Sequence, residues 1–159
     1  MIWKVLALLG VAAVLLGYQL YAPKAENPAW TLQPKNAQIV TQGQALYMAH
    51  CASCHGDNRE GQGNWRQRLA SGRLPAPPHD ETGHSWHHND EALFNVTKFG
   101  PQYVAGADYQ SDMPSFSGMI SDAEIVAVLS FIKSMWSADV RATHDEINRR
   151  ADITRQQTK

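Results

Sequence analysis

The chain has 159 residues and a formal net charge of -1, with 14 lysine and arginine residues against 15 aspartate and glutamate residues. A chain of this length suits one domain with extensions, and the balanced charge argues against nucleic acid as a partner. Its only two cysteines are Cys51 and Cys54, which excludes the disulfide framework of a small secreted scaffold.

Residues 1–21 are predicted to form an uncleaved signal anchor, a single transmembrane helix. The run from Ile2 to Tyr21 carries one charge, Lys4, and just reaches the roughly 20 residues needed to cross a bilayer. Aromatic residues stand near both ends, where membrane interfaces favour them: Trp3, Tyr18 and Tyr21. A cleaved signal peptide is the alternative, although Leu20 is too large for the usual small-x-small cleavage pattern. Both interpretations place the rest of the chain outside the cytoplasm.

Three further segments follow the predicted anchor. Residues 22–36 contain three prolines and are predicted to form a linker with little regular structure. Within this linker Trp30 either docks on the domain or is exposed. The compact domain is expected to cover residues 37–137, and residues 138–159 to form a polar, basic tail.

The domain is predicted to be all-α, because no stretch alternates apolar and polar residues for long enough to indicate a sheet. The first helix should run from Ala37 to His50, and a second from Asp90 to about Phe99, where Gly100-Pro101 would stop it. A capping box, Ser121 followed by Glu124, should open the last helix. That helix would present one apolar face formed by Ile125, Val128, Leu129, Ile132 and Trp136.

The motif that carries chemistry is Cys51-Ala-Ser-Cys54-His55. Two thiols separated by two residues can bond the two vinyl groups of a porphyrin, and the adjacent histidine can then bind its iron, so C-x-x-C-H indicates attachment of haem c. A thioredoxin-like dithiol fits less well because a helix, not a strand, precedes the motif. A zinc site stays open, since nearby histidines could complete a set of four ligands.

The predicted sixth ligand of the iron is Met113, which lies in a loop before the last helix and is followed by Pro114. A methionine in a loop can approach iron freely, and the proline would stiffen that approach. Met119 is the main competitor, and the loop histidines are further candidates. Core packing is the ordinary role of any single methionine.

This order of elements resembles the class I cytochromes c, particularly the membrane-anchored monohaem type of bacteria. The resemblance covers roughly residues 37–137 and rests on the Cys51–Gly56 motif, the proline-rich loop, Asp90-x-x-Leu-Phe and Met113-Pro-x-Phe. It implies a tight crossing of the first and last helices, with Gly43 and Tyr47 against Val128 and Phe131. It also implies that a proline carbonyl accepts a hydrogen bond from the iron-binding histidine, and the candidates are Pro75, Pro77 and Pro78.

The loop from Gly56 to His88 departs from the simple members of that family, because four histidines occur near its end: His79, His84, His87 and His88. Three interpretations remain. The histidines and Trp86 bond the haem propionates, the histidines bind copper or zinc, or they are solvated. The arginines of the same loop are most simply solvated, with propionate pairing or partner docking as alternatives: Arg66, Arg68 and Arg73.

The resulting expectation is a one-electron carrier in a respiratory-type chain, not an enzyme. Histidine and methionine would fill both axial positions, which leaves no place for a substrate. The domain would lie on the periplasmic side of a bacterial inner membrane, with redox proteins as partners. The alternatives are an electron-entry subunit of a larger membrane oxidoreductase, contacted through the anchor and basic tail, or a metal-handling or sensing protein that uses loop 79–88.

Overall fold

The structure is a computed structural model that describes residues 28–158; the predicted anchor, residues 1–21, lies outside them. The described part is helical, and its only β-type pairing is an isolated bridge between Ser117 and Ile120. Its helices are α1 (Ala37–His50), α2 (Ala52–His55), a 3₁₀ helix (Ser85–His87), α3 (Asp90–Phe99), α4 (Gln102–Ala105), α5 (Asp122–Ser134) and α6 (Ala138–Gln157).

Helices α1 and α5 cross at close range, and a glycine makes the crossing tight. A Cβ atom added to Gly43 would lie 1.9 Å from the carbonyl oxygen of Ala127 and 3.0 Å from Cβ of Phe131. One turn further along α1, the ring of Tyr47 lies 5.5 Å from that of Phe131. The backbones of the two helices therefore come into close contact at Gly43, and one turn later the rings of Tyr47 and Phe131 pack together.

Helix α5 begins as the sequence predicts. The Ser121 side chain accepts a hydrogen bond from the Glu124 backbone, and the Glu124 carboxylate accepts one from the Ser121 backbone. The predicted apolar face is buried, but Trp136 lies beyond the helix, which ends at Ser134. Its indole N–H donates to the carbonyl of His79 at 2.9 Å, so the residue after the helix ties α5 to the histidine-rich loop.

The segment predicted only as a polar tail forms α6, a helix of 20 residues. The Ser137 side chain caps it by accepting from the Val140 backbone N–H at 3.3 Å. Its buried contact is polar: His144 is fully buried, and its Nε2 donates to the carbonyl of His88 at 2.8 Å. Asn148 exchanges two hydrogen bonds with Asp90, at 2.7 and 3.0 Å. Helix α6 therefore braces the start of α3 and the end of the long loop.

The described part of the linker docks on the domain. Leu32 is buried, and its N–H donates to the Asp90 carboxylate at 2.9 Å. Trp30 packs against the core and lies 5.5 Å beneath the Arg155 guanidinium. Of the two interpretations of Trp30, the structure shows docking. Between residues 28 and 158, no helix is both long and apolar enough to cross a membrane.

Candidate functional site

The cysteine motif begins where α1 ends. The N–H of Cys51 still bonds the carbonyl of Tyr47 at 2.8 Å, and α2 then carries Cys54 and His55 through a single turn. Both cysteines are free thiols, Cys51 half-buried and Cys54 exposed. A single turn therefore presents two thiols and one imidazole from the same short element.

Cys51 does not have the character of a reactive redox thiol. Burial, followed by the charge of Cys54, raises the pKa of Cys51 to about 11. A thiol that attacks disulfides needs a lowered pKa, because the thiolate is the nucleophile. This environment disfavours the thioredoxin-like interpretation and leaves attachment chemistry as the better fit.

His55 is buried and oriented through one ring nitrogen. Its Nδ1 lies 2.8 Å from the carbonyl oxygen of Pro77, which identifies the acceptor among the three candidate prolines. Burial lowers the pKa of His55, while the Pro77 bond acts in the opposite direction. A neutral imidazole that donates from Nδ1 keeps its Nε2 lone pair, the state that a metal ligand requires. Within residues 28–158, Nε2 has no hydrogen-bond partner.

The loop after α2 folds back to supply that carbonyl. The N–H of Gly61 bonds the carbonyl of His55 at 2.7 Å, and the N–H of Gln62 bonds that of Ala76 at 2.9 Å. Gly61 has a φ of +69°, and a Cβ there would lie 2.5 Å from the nitrogen of Pro78. Only glycine meets both requirements without strain, so the close return of the loop depends on this residue.

A second histidine, His79, packs on the face of His55. The two rings are stacked, with centroids 3.9 Å apart and planes 21° from parallel. Burial lowers the pKa of His79 well below its ordinary value. In the sequence His79 is one of four histidines, and it stands two residues after Pro77, which is the signal that distinguishes it once the structure identifies Pro77 as the acceptor.

Two of the other loop histidines, His84 and His87, stack on neighbouring indole rings. His84 is parallel to Trp65 at 5.4 Å, and His87 stacks on Trp86 at 3.6 Å. The indole N–H of Trp86 donates to the carbonyl of Glu81 at 3.3 Å. Across residues 28–158, no three histidine, cysteine, aspartate or glutamate side chains converge to hold a metal ion. The described structure thus gives no support to a copper or zinc site in loop 79–88.

Met113 lies in the loop between α4 and α5 and is half-buried. Its N–H donates to the Ser111 hydroxyl at 3.1 Å. Met119, its competitor, is 59% exposed. In the described chain no hydrogen bond or ring contact joins the Met113 loop to His55, so ligation by Met113 stays a prediction.

The Met113 loop is connected instead to the arginine-rich part of the long loop. Arg73 pairs with Asp112, next to Met113, and the Arg68 guanidinium lies 5.8 Å from the Tyr109 ring. Arg66 stacks on Trp65 at 4.0 Å. Arg73 is therefore half-buried and paired within the domain, whereas Arg66 and Arg68 are exposed beside aromatic rings, as expected for solvated charges.

A family model described as Cytochrome c matches residues 40–136. The chain belongs to the cytochrome c family. No curated protein and no solved structure matches it. Cytochromes c are electron carriers that bind haem c covalently, and Cys51 and Cys54 fit the attachment motif of this family.

The residues present fit such a group. Two free thiols and a neutral imidazole share one turn, which matches covalent attachment beside an axial ligand. Two further donors suit its propionates: among residues 28–158, Nε of Arg59 and Nε of Arg73 are buried without a hydrogen-bond partner. Buried donors normally have partners, so these two N–H groups are available to an anionic acceptor such as a propionate.

Proposed function

We propose that this cytochrome is a membrane-anchored monohaem electron carrier of a respiratory-type chain, with His55 and Met113 as axial ligands. The observation that carries the proposal is the geometry of His55, whose Nδ1 is taken by the Pro77 carbonyl while Nε2 is left for iron. When bound, haem supplies the reversible one-electron change at iron.

The chain's own residues would attach the haem, bind its iron and pair with its negative charge. Cys51 and Cys54 would each form a thioether, fixing the group to α2. His55 would bind iron from the same turn, with the Pro77 bond setting its tautomer and increasing its basicity. Arg59 and Arg73 would hold negative charge through their buried Nε–H groups.

Met113 is the best candidate for the opposite axial position. It is half-buried, lies in a loop free of helix constraints and is followed by Pro114. Met119 is less suitable because it is largely exposed. Methionine ligation raises the reduction potential relative to two histidines, and filling both axial positions favours electron transfer over catalysis.

The proposed location is the periplasmic face of a bacterial inner membrane, held by residues 1–21. The apolar run of the sequence supports this location. Washing membranes with high salt should leave the protein bound, because a spanning helix is held by the hydrophobic effect and not by charge. A mature amino terminus near Ala22 or Glu26 would instead indicate a cleaved signal peptide.

The alternative of a subunit docked through its basic tail depends on the arginines of α6. Arg141 donates to the carbonyls of Ser134 and Trp136. The other arginines of this helix form intramolecular ion pairs: Arg149 and Arg150 with Glu146, and Arg155 with Glu91 and Asp152. Arg141 and Arg155 are therefore tied to the domain, whereas Arg149 and Arg150 stay exposed and remain accessible to a partner.

An absorption spectrum of the purified, dithionite-reduced protein tests the proposal. Two thioethers and a histidine–methionine pair should give a low-spin c-type spectrum, with haem retained by the polypeptide after denaturation. Absence of covalent haem from protein expressed with a haem-maturation system would overturn the proposal. A low-spin spectrum with a low, bis-histidine-like potential would retain the carrier and replace Met113.

A further inference from the structure

We propose that His79 is a positioning residue that fixes the plane of the His55 imidazole. This inference rests on the proposed role of His55 as an iron ligand. It concerns the one histidine of loop 79–88 whose ring contacts the site.

The hydrogen bond to Pro77 does not by itself define the ring plane. It fixes Nδ1 at 2.8 Å from one oxygen atom, and such bonds tolerate departures of about 30° from linearity. The flat ring of His79, 3.9 Å from the His55 centroid and nearly parallel to it, blocks tilting toward that side. Together the two contacts define both the position and the plane of the ligand.

His79 can serve this purpose because separate segments hold it. Its N–H donates to the carbonyl of Arg59 at 2.8 Å, and its own carbonyl accepts from Trp136 at 2.9 Å. Its Nδ1 is hydrogen-bonded to the Ser85 hydroxyl at 2.9 Å. The edge of its ring meets Tyr47, with centroids 6.3 Å apart. A ring fixed at its backbone, its edge and its nitrogen is a rigid surface for its neighbour.

The physical consequence is electronic as well as geometric. The plane of an axial imidazole determines how unpaired electron density is distributed over the porphyrin of a ferric low-spin haem, because the ligand π orbital mixes with one iron d orbital. A ring held in one plane therefore gives one well-defined distribution. The neighbours of an axial ligand are among the features by which a protein tunes haem.

The experiment uses the full-length holoprotein and compares His79→Phe, His79→Leu and His79→Ala, with His87→Ala as control. His87 belongs to the same loop but is exposed and stacks on Trp86. The readout is the proton NMR spectrum of the ferric protein, in which the spread and order of the shifted haem methyl resonances report the ligand plane. Reduction potential is measured in parallel.

We expect His79→Phe to preserve the wild-type methyl pattern, because phenylalanine offers the same flat face. His79→Leu fills the space without a flat face, and His79→Ala empties it, so both should change the pattern and His87→Ala should not. If both leucine and phenylalanine preserve the pattern, the residue only fills space and the proposal is overturned. Should the alanine variant fail to retain haem, the contrast between leucine and phenylalanine still decides. A wild-type protein without a low-spin histidine-ligated spectrum would refute the proposed function instead.

Discussion

The two residues proposed to bind the haem iron, His55 and Met113, are held in different ways. His55 is 7% exposed, hydrogen-bonded to Pro77 and stacked on His79. Met113 is half-buried in a loop whose tie to the rest of the domain includes Arg73 and Asp112, with side chains 43% and 60% exposed. Buried, hydrogen-bonded contacts resist local opening, whereas exposed loops open at little cost.

Under the proposed ligation by Met113, this difference predicts that the cysteine and histidine side forms a permanent attachment and the methionine side an adjustable one. Changes on the cysteine and histidine side should affect whether holoprotein forms at all. Changes in the methionine loop should leave the haem attached and alter its spectrum and potential.

The largest expected effect is loss of folded holoprotein in Cys51→Ala. Without this thiol the two-thioether attachment cannot form, and a helical domain without its cofactor loses part of its interior. The measurement is the yield of folded, haem-containing protein, which should fall to a small fraction of wild type because Cys54 alone can form only one thioether. Ser53→Ala is the control, since Ser53 is exposed in the same turn. Wild-type haem content in Cys51→Ala would show that attachment does not depend on this side of the site.

Gly43→Ala should strongly reduce stability without touching the site. The new Cβ would lie 1.9 Å from the Ala127 carbonyl oxygen, so α1 and α5 must separate. Overpacking of this kind costs about 1–3 kcal/mol, which urea unfolding of the holoprotein would measure. Gly63→Ala is the matched control, because nothing lies within 4 Å of a Cβ there. Equal stabilities would show that the crossing is looser than the structure describes.

Replacement of Met113 should change ligation while the haem stays attached. Met113→His should remain low-spin with a lower potential, because imidazole favours the ferric state more than a thioether does. Met113→Ala should open the position to water or added ligands. Met119→Ala should do neither, and since Met119 is 59% exposed its packing cost should be small. An unchanged spectrum and potential in Met113→Ala would transfer the role to Met119 or a histidine.

Local signals in the sequence were sufficient to predict most of the helical framework. The first helix occupies Ala37–His50 as expected, and α3 occupies Asp90–Phe99 with Asn89 as its cap. Capping boxes, Gly-Pro stops and apolar spacing act over a few residues, so they can be read without knowing the fold. The tight crossing of α1 and α5 at Gly43 was predicted from the family resemblance and not from these local signals.

Contacts over long sequence distances could not be predicted. Helix α6 has no apolar stripe from which it could be predicted, because its buried contacts are polar: His144 and Asn148 bond residues that lie 56 and 58 positions earlier in the chain. The choice of Pro77 over Pro75 and Pro78 likewise depends on how the loop returns past Gly61. Met113 was predicted from its loop and its proline, and its role still awaits the ligand-replacement experiment.

Lowering the pH should destabilise the folded protein through His144, which joins α6 to the end of the long loop. Burial, then Lys133, lowers the pKa of His144 below its ordinary 6.5, while Asp90, the His88 carbonyl and Asp145 oppose the shift. The unfolded chain therefore binds a proton that the folded chain excludes, and stability contributed by neutral His144 is present above about pH 6.5 and falls below it.

The measurement is urea unfolding of the holoprotein between pH 7 and pH 5, for wild type and His144→Gln. Glutamine can still donate to the His88 carbonyl but does not titrate. His79, His84 and His88 also have lowered pKa values and contribute the same trend to both proteins. We expect a shallower loss in the variant, and identical slopes would mean that His144 is not protonated on unfolding in this range.

The smallest expected effect is that of Asp112→Asn, which removes the ion pair with Arg73. Exposed pairs contribute about 0.2–1 kcal/mol, so the Met113 loop should open slightly more easily while haem attachment is unaffected. The charge-transfer band of sulfur-ligated ferric haem should disappear at a lower urea concentration than in wild type, and the difference should shrink at high salt because salt screens the pair. Asp152→Asn, which removes an exposed pair with Arg155 on α6, should leave the band unchanged. A loss of the band in Asp112→Asn without any denaturant would mean that this ion pair is required to keep Met113 bound to iron. The methionine side would then be held much more weakly, relative to the His55 side, than proposed.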